Sequence, residues 1–180
     1  MVMHVHAEAH GDERGALLAF LDEQRGGIRR ALLGLTDEQA ATRPSASELS
    51  LSGLLKHVAE TEQGWLSLAR QETSGTERSE EDRGDGFRLT GDETVGSTLA
   101  RWDEVARRTE DFIRAVPSLN DTFPLPDQPW FPDGEAVSMR WLLLRLITET
   151  ARHAGHADIV RESLDGKTAF ELVAQQQGRG

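Results

Sequence analysis

The strongest constraint on the fold is a long run from Trp141 to Leu164 in which apolar residues recur with the period of an α-helix. At 3.6 residues per turn, Glu149 and His153 stand one turn apart on the same stripe as the surrounding leucines. We therefore expect both side chains to face the core. Burying a carboxylate without a partner costs several kcal/mol. A metal ion is among the few partners that would satisfy a carboxylate and an imidazole together.

Length and composition predict a single globular domain spanning residues 1–180. The chain has 180 residues, 37% of them hydrophobic, which is enough to bury one substantial core. It has 20 Lys and Arg against 31 Asp and Glu, a net charge of −11. This acidity argues against nucleic-acid and anionic-membrane partners, because both select basic surfaces. Neither a secretory signal pattern nor a run of roughly 18 apolar residues is found, so we expect a cytoplasmic protein.

Cysteine and histidine usage limits the chemistry further. The sequence contains no cysteine, which excludes disulfides, thiolate metal ligands and a cysteine nucleophile. Any thiol chemistry must therefore use a thiol from outside the protein. His4, His6 and His10 precede any periodic pattern, and we expect a frayed terminus there rather than a metal-binding arm.

The periodic patterns predict four long helices and hence an all-α four-helix bundle, with long connections between the second and third and between the third and fourth. The predicted helices span residues 12–34, 50–71, 90–116 and 138–165. Short helical segments are expected after Thr36 and Thr168. The polar, glycine-rich stretch 73–92 predicts a mobile surface loop. Four prolines within 118–136 predict an extended connection.

The second helix adds a third candidate metal ligand. His57 lies at the border of its apolar face. Together with Glu149 and His153 it makes three protein ligands, the number that a catalytic metal site uses when positions stay open for water or substrate. His156 follows His153 by three residues and can replace either partner, but it stands about two turns from Glu149. No Ser-His-Asp order, phosphate-binding glycine loop or HExxH motif offers another specific chemistry.

These residues also have structural interpretations. His57 can be hydrogen-bonded to a backbone carbonyl or a carboxylate, and Glu149 and His153 can satisfy each other in a dry core. Glu62 is predicted to pair with Arg152 or Arg145, or to orient a ligand histidine. The two arginines either line the mouth of a pocket for an anion or cover the helix surface with their stems, and the surface role is favoured.

A set of segments distributed along the chain resembles a known family. They are Leu54–His57, Glu62, Trp65, Trp130–Pro132, Val137–Trp141, Glu149–Asp158 and Arg161–Glu162. They are similar to the DinB-like (YfiT-like) superfamily of bacterial four-helix-bundle metalloenzymes, and most similar to its actinobacterial branch related to mycothiol-dependent enzymes. The similarity covers residues from about 12 to 166.

The resemblance implies a bundle that holds a divalent metal, Zn or Ni, on His57, Glu149 and His153, often within a homodimer. Relatives in this superfamily include thiol-dependent transferases and isomerases that use mycothiol or bacillithiol. The chain departs from the pattern of the branch at Arg145, where a histidine is common, and at Thr148, where a second acidic residue is common.

The leading functional expectation is a divalent-metal-dependent S-transferase that joins mycothiol or a similar thiol to a small electrophile. The ion would lower the pKa of the thiol. Arg145 or Arg152 would hold an anionic group of the thiol or substrate, while Glu62 and His156 would support the metal ligands. The alternative is a non-catalytic stress or binding protein with a structural metal or none.

Overall fold

The computed structural model describes residues 12–72, 85–129, 131–132 and 134–178. The helices are α1 (Glu13–Ala31), α2 (Asp37–Ala40), α3 (Leu51–Ala69), α4 (Val95–Ala115), α5 (Met139–Asp165) and α6 (Ala169–Gln176). Two short strands, β1 (Thr122–Pro124) and β2 (Ala136–Ser138), and a 3₁₀ turn (Asp85–Phe87) complete the described elements. The four long helices α1, α3, α4 and α5 confirm the predicted all-α bundle.

Hydroxyl side chains fix where several helices begin. Thr36, Ser50, Ser138 and Thr168 each accept a hydrogen bond from a backbone N–H in the first turn of the helix that follows. Such caps satisfy N–H groups that have no partner inside the helix. At the other end of α5, Gly166 adopts a left-handed conformation, which closes the helix where the sequence predicted.

The third long helix begins later than predicted. Thr90 and Glu93 do form a turn, in which the Thr90 backbone N–H donates to the Glu93 carboxylate at 2.9 Å. The same carboxylate accepts from Lys56 Nζ of α3 at 2.7 Å, so this turn is held against α3. A second capping box, between Thr94 and Ser97, opens α4. Sequence spacing alone does not distinguish the two boxes.

The connection between α4 and α5 is extended, as predicted, and part of it forms a small antiparallel ladder that the sequence did not predict. Phe123 of β1 lies opposite Val137 of β2, and the Phe123 side chain is buried in the core. Strands of three residues are too short to show the alternation that identifies a strand in a sequence. Burial of Phe123 therefore holds the ladder on the bundle.

The core consists of two apolar clusters along the bundle. Helix α5 packs against α1 and α3, and α3 packs against α4. One cluster includes Ile28, Leu54, Leu55, Val58, Trp102, Ala157 and Val160. The other includes Leu18, Leu21, Ile113, Phe123, Leu142, Leu143 and Leu146. Every long helix contributes to this core, which holds α3 and α5 side by side.

A buried ion pair lies among these apolar side chains. The Glu62 carboxylate accepts hydrogen bonds from Nε of Arg25 at 3.1 Å, from Nη2 of the same arginine, and from Nε1 of Trp102 at 2.9 Å. All three residues are at most 3% exposed. The paired donors offset the cost of burying two charges. The network joins α1, α3 and α4.

Arg161 connects α5 to the end of α1. Its Nη1 donates to the carbonyl oxygens of Ala31 at 2.7 Å and Leu33 at 2.9 Å, and its Nε and Nη2 donate to the Asp165 carboxylate. The carbonyl groups at the end of a helix have no partner inside it. Arg161 supplies that partner from a position that is only 1% exposed.

Two predictions concern residues outside the described ranges. His4, His6 and His10 lie there, as do residues 73–84 of the predicted mobile loop 73–92. Residues 85–92 of that loop lie against α3, because Phe87 packs on one of the core clusters.

None of the helices in the described ranges combines the length and apolarity needed to cross a membrane.

Candidate metal centre

The candidate ligands come from two antiparallel helices. His57 lies on α3, and Glu149 and His153 lie one turn apart on α5. The chain directions follow from two contacts: His57 faces Glu149, while Trp65, two turns further along α3, packs against Trp141, which comes two turns before Glu149 on α5. Antiparallel packing therefore brings the i, i+4 pair of one helix to the single histidine of the other.

The three side chains converge on one point. Oε1 of Glu149 lies 3.2 Å from Nε2 of His57 and 3.2 Å from Nε2 of His153. One nitrogen or oxygen atom of each side chain lies within 4.8 Å of the others. Ligand atoms around one zinc ion are about 3–4 Å apart, because Zn–N and Zn–O bonds are about 2.1 Å long. The cluster is thus close to the size of a metal-binding site.

The electrostatics hold Glu149 and His153 in the protonation states that a metal requires. Burial alone would raise the pKa of Glu149, but hydrogen bonds from His57 and His153 and the charge of Arg145 outweigh burial and lower this pKa below its usual value. Burial and, secondarily, the nearby His57 lower the pKa of His153. At neutral pH the cluster therefore offers an anionic carboxylate and a neutral imidazole.

The donor set fits a divalent transition metal. Two imidazole nitrogens and one carboxylate oxygen are ligands that suit zinc and nickel. The buried Nδ1 of His153 has no hydrogen-bond partner among the described residues. Packing therefore holds this imidazole in place, and within the described ranges its hydrogen bond is the one between Nε2 and Glu149.

Phe87 is a part of the site that the sequence did not predict. Its ring stacks on the imidazole of His57, with centroids 4.1 Å apart and planes 15° apart, and lies 6.1 Å from the ring of His153. The ring thus covers one side of the cluster. The available signal is an aromatic residue inside an otherwise polar and glycine-rich stretch, a composition that predicts a loop.

Two residues of α3 hold the Phe87 segment in place. A Cβ atom on Gly53 would overlap the carbonyl oxygen of Phe87, so the close approach of the two backbones requires glycine. Lys56 Nζ donates to Thr90 Oγ1 at 3.2 Å and to the Glu93 carboxylate at 2.7 Å. The segment is therefore held against α3 at Phe87 and again at Thr90 and Glu93.

His156 lies beside the cluster without joining it. Its ring meets the ring of His153 at a centroid distance of 5.5 Å and an angle of 66°. Its Nδ1 is buried and has no hydrogen-bond partner in the described part of the chain. His156 thus packs against a candidate ligand and makes no hydrogen bond to it.

The predicted partners of Glu62 require correction. Glu62 binds Arg25 and Trp102, and it contacts neither Arg145 nor Arg152 nor a candidate ligand. The reason is helical geometry: Glu62 projects toward α1 and α4, whereas both arginines lie on α5. Sequence periodicity shows that Glu62 faces the core but does not show which helix lies opposite.

The two arginines occupy different surroundings. Nη2 of Arg145 lies 2.9 Å from Oε2 of Glu149, so this arginine binds the carboxylate oxygen that neither histidine contacts. Arg152 is exposed on α5. The structure therefore gives Arg145 a direct contact with the cluster, which the sequence interpretation had not specified.

Comparisons with known proteins agree with this architecture. The model of the Mycothiol-S-transferase family matches residues 16–166. A conserved protein from Enterococcus faecalis shares 15% identity at a TM-score of 0.65, over 87% of this chain and 99% of that chain. No curated protein matches the chain.

A second solved structure is YfiT from Bacillus subtilis, described as "a probable metal-dependent hydrolase with an unusual four-helix bundle topology". It shares 14% identity at a TM-score of 0.52, over 100% of this chain and 94% of that chain. At such identities the two structures show the fold alone. Together with the family match, they confirm the predicted resemblance to the DinB-like superfamily.

Proposed function

The chain belongs to the Mycothiol-S-transferase family, and on this premise we propose that it is a divalent-metal-dependent enzyme that transfers a small-molecule thiol onto a small electrophile. The thiol is mycothiol or a relative such as bacillithiol, and the metal is zinc or nickel. The observation that carries the proposal is the convergence of His57, Glu149 and His153 into one donor cluster. The absence of cysteine agrees with a nucleophile that comes from outside the protein.

Each residue of the cluster has a defined task in this proposal. His57, Glu149 and His153 hold the ion, which supplies Lewis acidity that lowers the pKa of a thiol. Arg145 fixes the Glu149 carboxylate through the oxygen that faces away from the imidazoles. Phe87 stacks on His57 and excludes water from one side of the cluster.

Residues around the cluster have supporting tasks. Arg145 and Arg152 attract an anionic group of the thiol or substrate, because a guanidinium binds carboxylate and phosphate groups well. His156 packs on His153 and limits the rotation of that ring. Glu62 has no part in the site, because its carboxylate is bound by Arg25 and Trp102.

The proposal extends to a cytoplasmic location and a homodimer. Both rest on the sequence pattern and on the resemblance to the DinB-like superfamily. Light scattering coupled to size-exclusion chromatography measures the assembly, and a mass near 19.9 kDa would contradict the dimer because it equals that of one chain.

The test combines metal analysis with a thiol-consumption assay. Purified protein is analysed for zinc and nickel, and mycothiol and bacillithiol are then assayed with a panel of electrophiles. We expect about one ion per chain, and turnover that His57→Ala, Glu149→Gln and His153→Ala each abolish while the far-ultraviolet circular dichroism is unchanged. Ser163→Ala, at an exposed position of α5, is the matched control.

The outcomes separate the catalytic role from its alternative. Loss of turnover with retention of the fold supports a catalytic metal. A large fall in melting temperature on metal removal, in a protein that turns over no electrophile, would instead indicate a structural metal. Protein that binds no metal and consumes no thiol would overturn the proposal.

A further inference from the structure

An open groove of about 600 Å³ runs along α3 next to the candidate metal centre. Its lining residues include Thr61, Gly64, Trp65 and Leu68 of α3, Val105 of α4, and Phe131. Sites for small molecules have volumes of about 300–1,000 Å³. Thr61 follows His57 by one helical turn, which is about 6 Å along the helix axis. The groove is therefore of suitable size and begins about one turn from the metal centre.

The charged groups at the groove already have partners. Nη1 of Arg101 lies 3.4 Å from the Glu93 carboxylate, and its Nη2 lies 4.0 Å from Glu60. Gln63 Oε1 accepts from Arg108 Nη1 at 3.4 Å. Because these charges are already paired with groups of the protein, the groove favours a neutral ligand.

The remaining contact surface is apolar and partly aromatic. The Trp65 and Phe131 rings meet edge to face, with centroids 6.1 Å apart. Leu68 and Val105 continue this surface. Aromatic side chains in such an arrangement bind a flat apolar group through stacked or edge-to-face contacts. The groove is thus complementary to a planar aromatic body.

Thr61 provides a hydrogen-bonding group at the end nearest the metal centre. Elsewhere in these helices Thr109 and Ser163 donate their hydroxyls to the carbonyl four residues earlier. The Thr61 hydroxyl makes no such bond, and none of the described residues binds it. It is therefore available to a ligand that carries a hydrogen-bond acceptor.

We propose that this groove binds the electrophile, and that the preferred electrophile is neutral, with a planar aromatic body and a carbonyl acceptor beside the reactive carbon. The inference rests on the proposed thiol transfer. With an iodoacetamide-type substrate, the thiol loses its proton to buffer, the new sulfur–carbon bond forms, and the carbon–iodine bond breaks to release iodide. The aromatic body lies on Trp65 and Phe131 and the carbonyl accepts from Thr61.

The kinetic test compares two electrophiles that have the same reactive group. Zinc-loaded protein and mycothiol are assayed with iodoacetamide and with its N-phenyl derivative, iodoacetanilide. We expect kcat/KM for the aromatic substrate to be about tenfold higher or more, after correction for the uncatalysed rates, because it alone buries a phenyl ring.

Gly64 allows the groove to be filled without damage to the helix. No heavy atom lies within 4 Å of the position of its Cβ, so a side chain fits there. We expect Gly64→Leu to raise KM for iodoacetanilide about fivefold or more and so to reduce the preference for iodoacetanilide over iodoacetamide. Gly64→Ala, which makes the same change in the backbone without filling the groove, should keep the preference. Thr61→Val should lower kcat/KM for both amides, since both carry the carbonyl.

A binding experiment without thiol or metal provides a readout that does not depend on turnover. Acetanilide, which lacks the leaving group, is titrated into ¹⁵N-labelled protein. We expect the NMR chemical shifts of the Trp65 indole N–H and the Gly64 amide to change on titration. In the Gly64→Leu variant, the corresponding signals should not move.

The outcomes distinguish the two proposals. Chemical-shift changes at the Trp65 and Gly64 signals on addition of acetanilide, without turnover of either electrophile, would support binding of an aromatic amide in the groove. The same result would overturn the proposed thiol transfer. Turnover whose aromatic preference is the same in Gly64→Leu would overturn the groove proposal and retain thiol transfer. A titration in which the groove signals do not move would also overturn the groove proposal.

Discussion

His153 illustrates how a buried side chain couples the site to pH. Its pKa is lowered by burial and by His57, whereas its hydrogen bond with Glu149 raises it. In the unfolded chain the same imidazole titrates near 6.5. Below that value the unfolded chain therefore binds a proton that the folded protein still excludes. By linkage, this difference makes stability depend on pH.

We expect the free energy of unfolding of metal-free protein to fall as the pH decreases through 6.5, by at most about 1.4 kcal/mol per pH unit from this residue. The decrease stops once the folded protein also takes up the proton. Urea unfolding between pH 7.5 and 5 measures it. His153→Gln should remove this part of the pH dependence, and an unchanged slope in that variant would contradict the assignment.

Arg161 is expected to be among the residues whose loss destabilises the fold most. Replacement by Met leaves the Ala31 and Leu33 carbonyl oxygens without the donor that they now share. The expected loss is about 3 kcal/mol of unfolding free energy, or a fall of about 6–12 °C in melting temperature.

Arg140 provides the matched control for this substitution. It also lies on α5 and binds the Glu13 carboxylate through two nitrogens, but at the surface. Arg140→Met should change the melting temperature little, because exposed ion pairs contribute little to stability. Equal effects of the two substitutions would show that burial is not the reason for the role of Arg161.

The two glycines of α3 separate helix propensity from packing. Gly64 faces open space, whereas Gly53 lies in close contact with the backbone carbonyl of Phe87. Gly64→Ala should raise the free energy of unfolding by about 0.5–1 kcal/mol, since alanine favours the helix. Gly53→Ala should lower it by about 1–3 kcal/mol, because the added methyl group displaces the Phe87 segment. Chemical denaturation of both variants tests the contrast, and stabilisation by both would show that the contact is unimportant.

The long helices were predictable because each carries many turns of one periodic pattern. The caps at Ser50 and Ser138 confirmed two of their starts. The three-residue strands and the 3₁₀ turn were not predictable, because three residues are fewer than one helical turn and fewer than the roughly four to eight over which strand alternation becomes recognisable. Their positions depend on the burial of Phe123 and Phe87, which is a tertiary effect.

The candidate site was predictable to a different extent on each helix. The i, i+4 spacing places Glu149 and His153 together whatever surrounds α5. The meeting of His57 with this pair depends on the packing of α3 against α5, which periodicity alone does not give. The same limitation explains the error for Glu62, whose actual partner Arg25 lies on α1.

In the molecule as a whole, buried polar contacts link the helices. The network of Arg25, Glu62 and Trp102 joins three of the long helices inside the apolar core. Arg161 links α5 to the end of α1. Since these contacts are buried, separating any of the four long helices from the bundle would leave a buried polar group without its partner.

We therefore propose that the chain is one domain that unfolds in a single transition. Far-ultraviolet circular dichroism follows the helices, and near-ultraviolet circular dichroism follows the packing of the aromatic side chains, which include the buried Trp102. We expect the two melting curves to coincide. Melting temperatures that differ by several degrees between the two signals would show that the helices persist after the tertiary packing is lost. That result would contradict a single domain with one unfolding transition.

The distance in sequence between the two sides of the metal centre has a consequence for folding kinetics. His57 and Glu149 are 92 residues apart, so the cluster exists only after α3 and α5 have docked. We expect contacts between segments so far apart in sequence to form late, and an ion that stabilises them should slow unfolding while leaving the folding rate almost unchanged. Stopped-flow measurements with and without zinc should therefore show the change on the unfolding side. Bound metal would therefore lengthen the lifetime of the native state without speeding its formation.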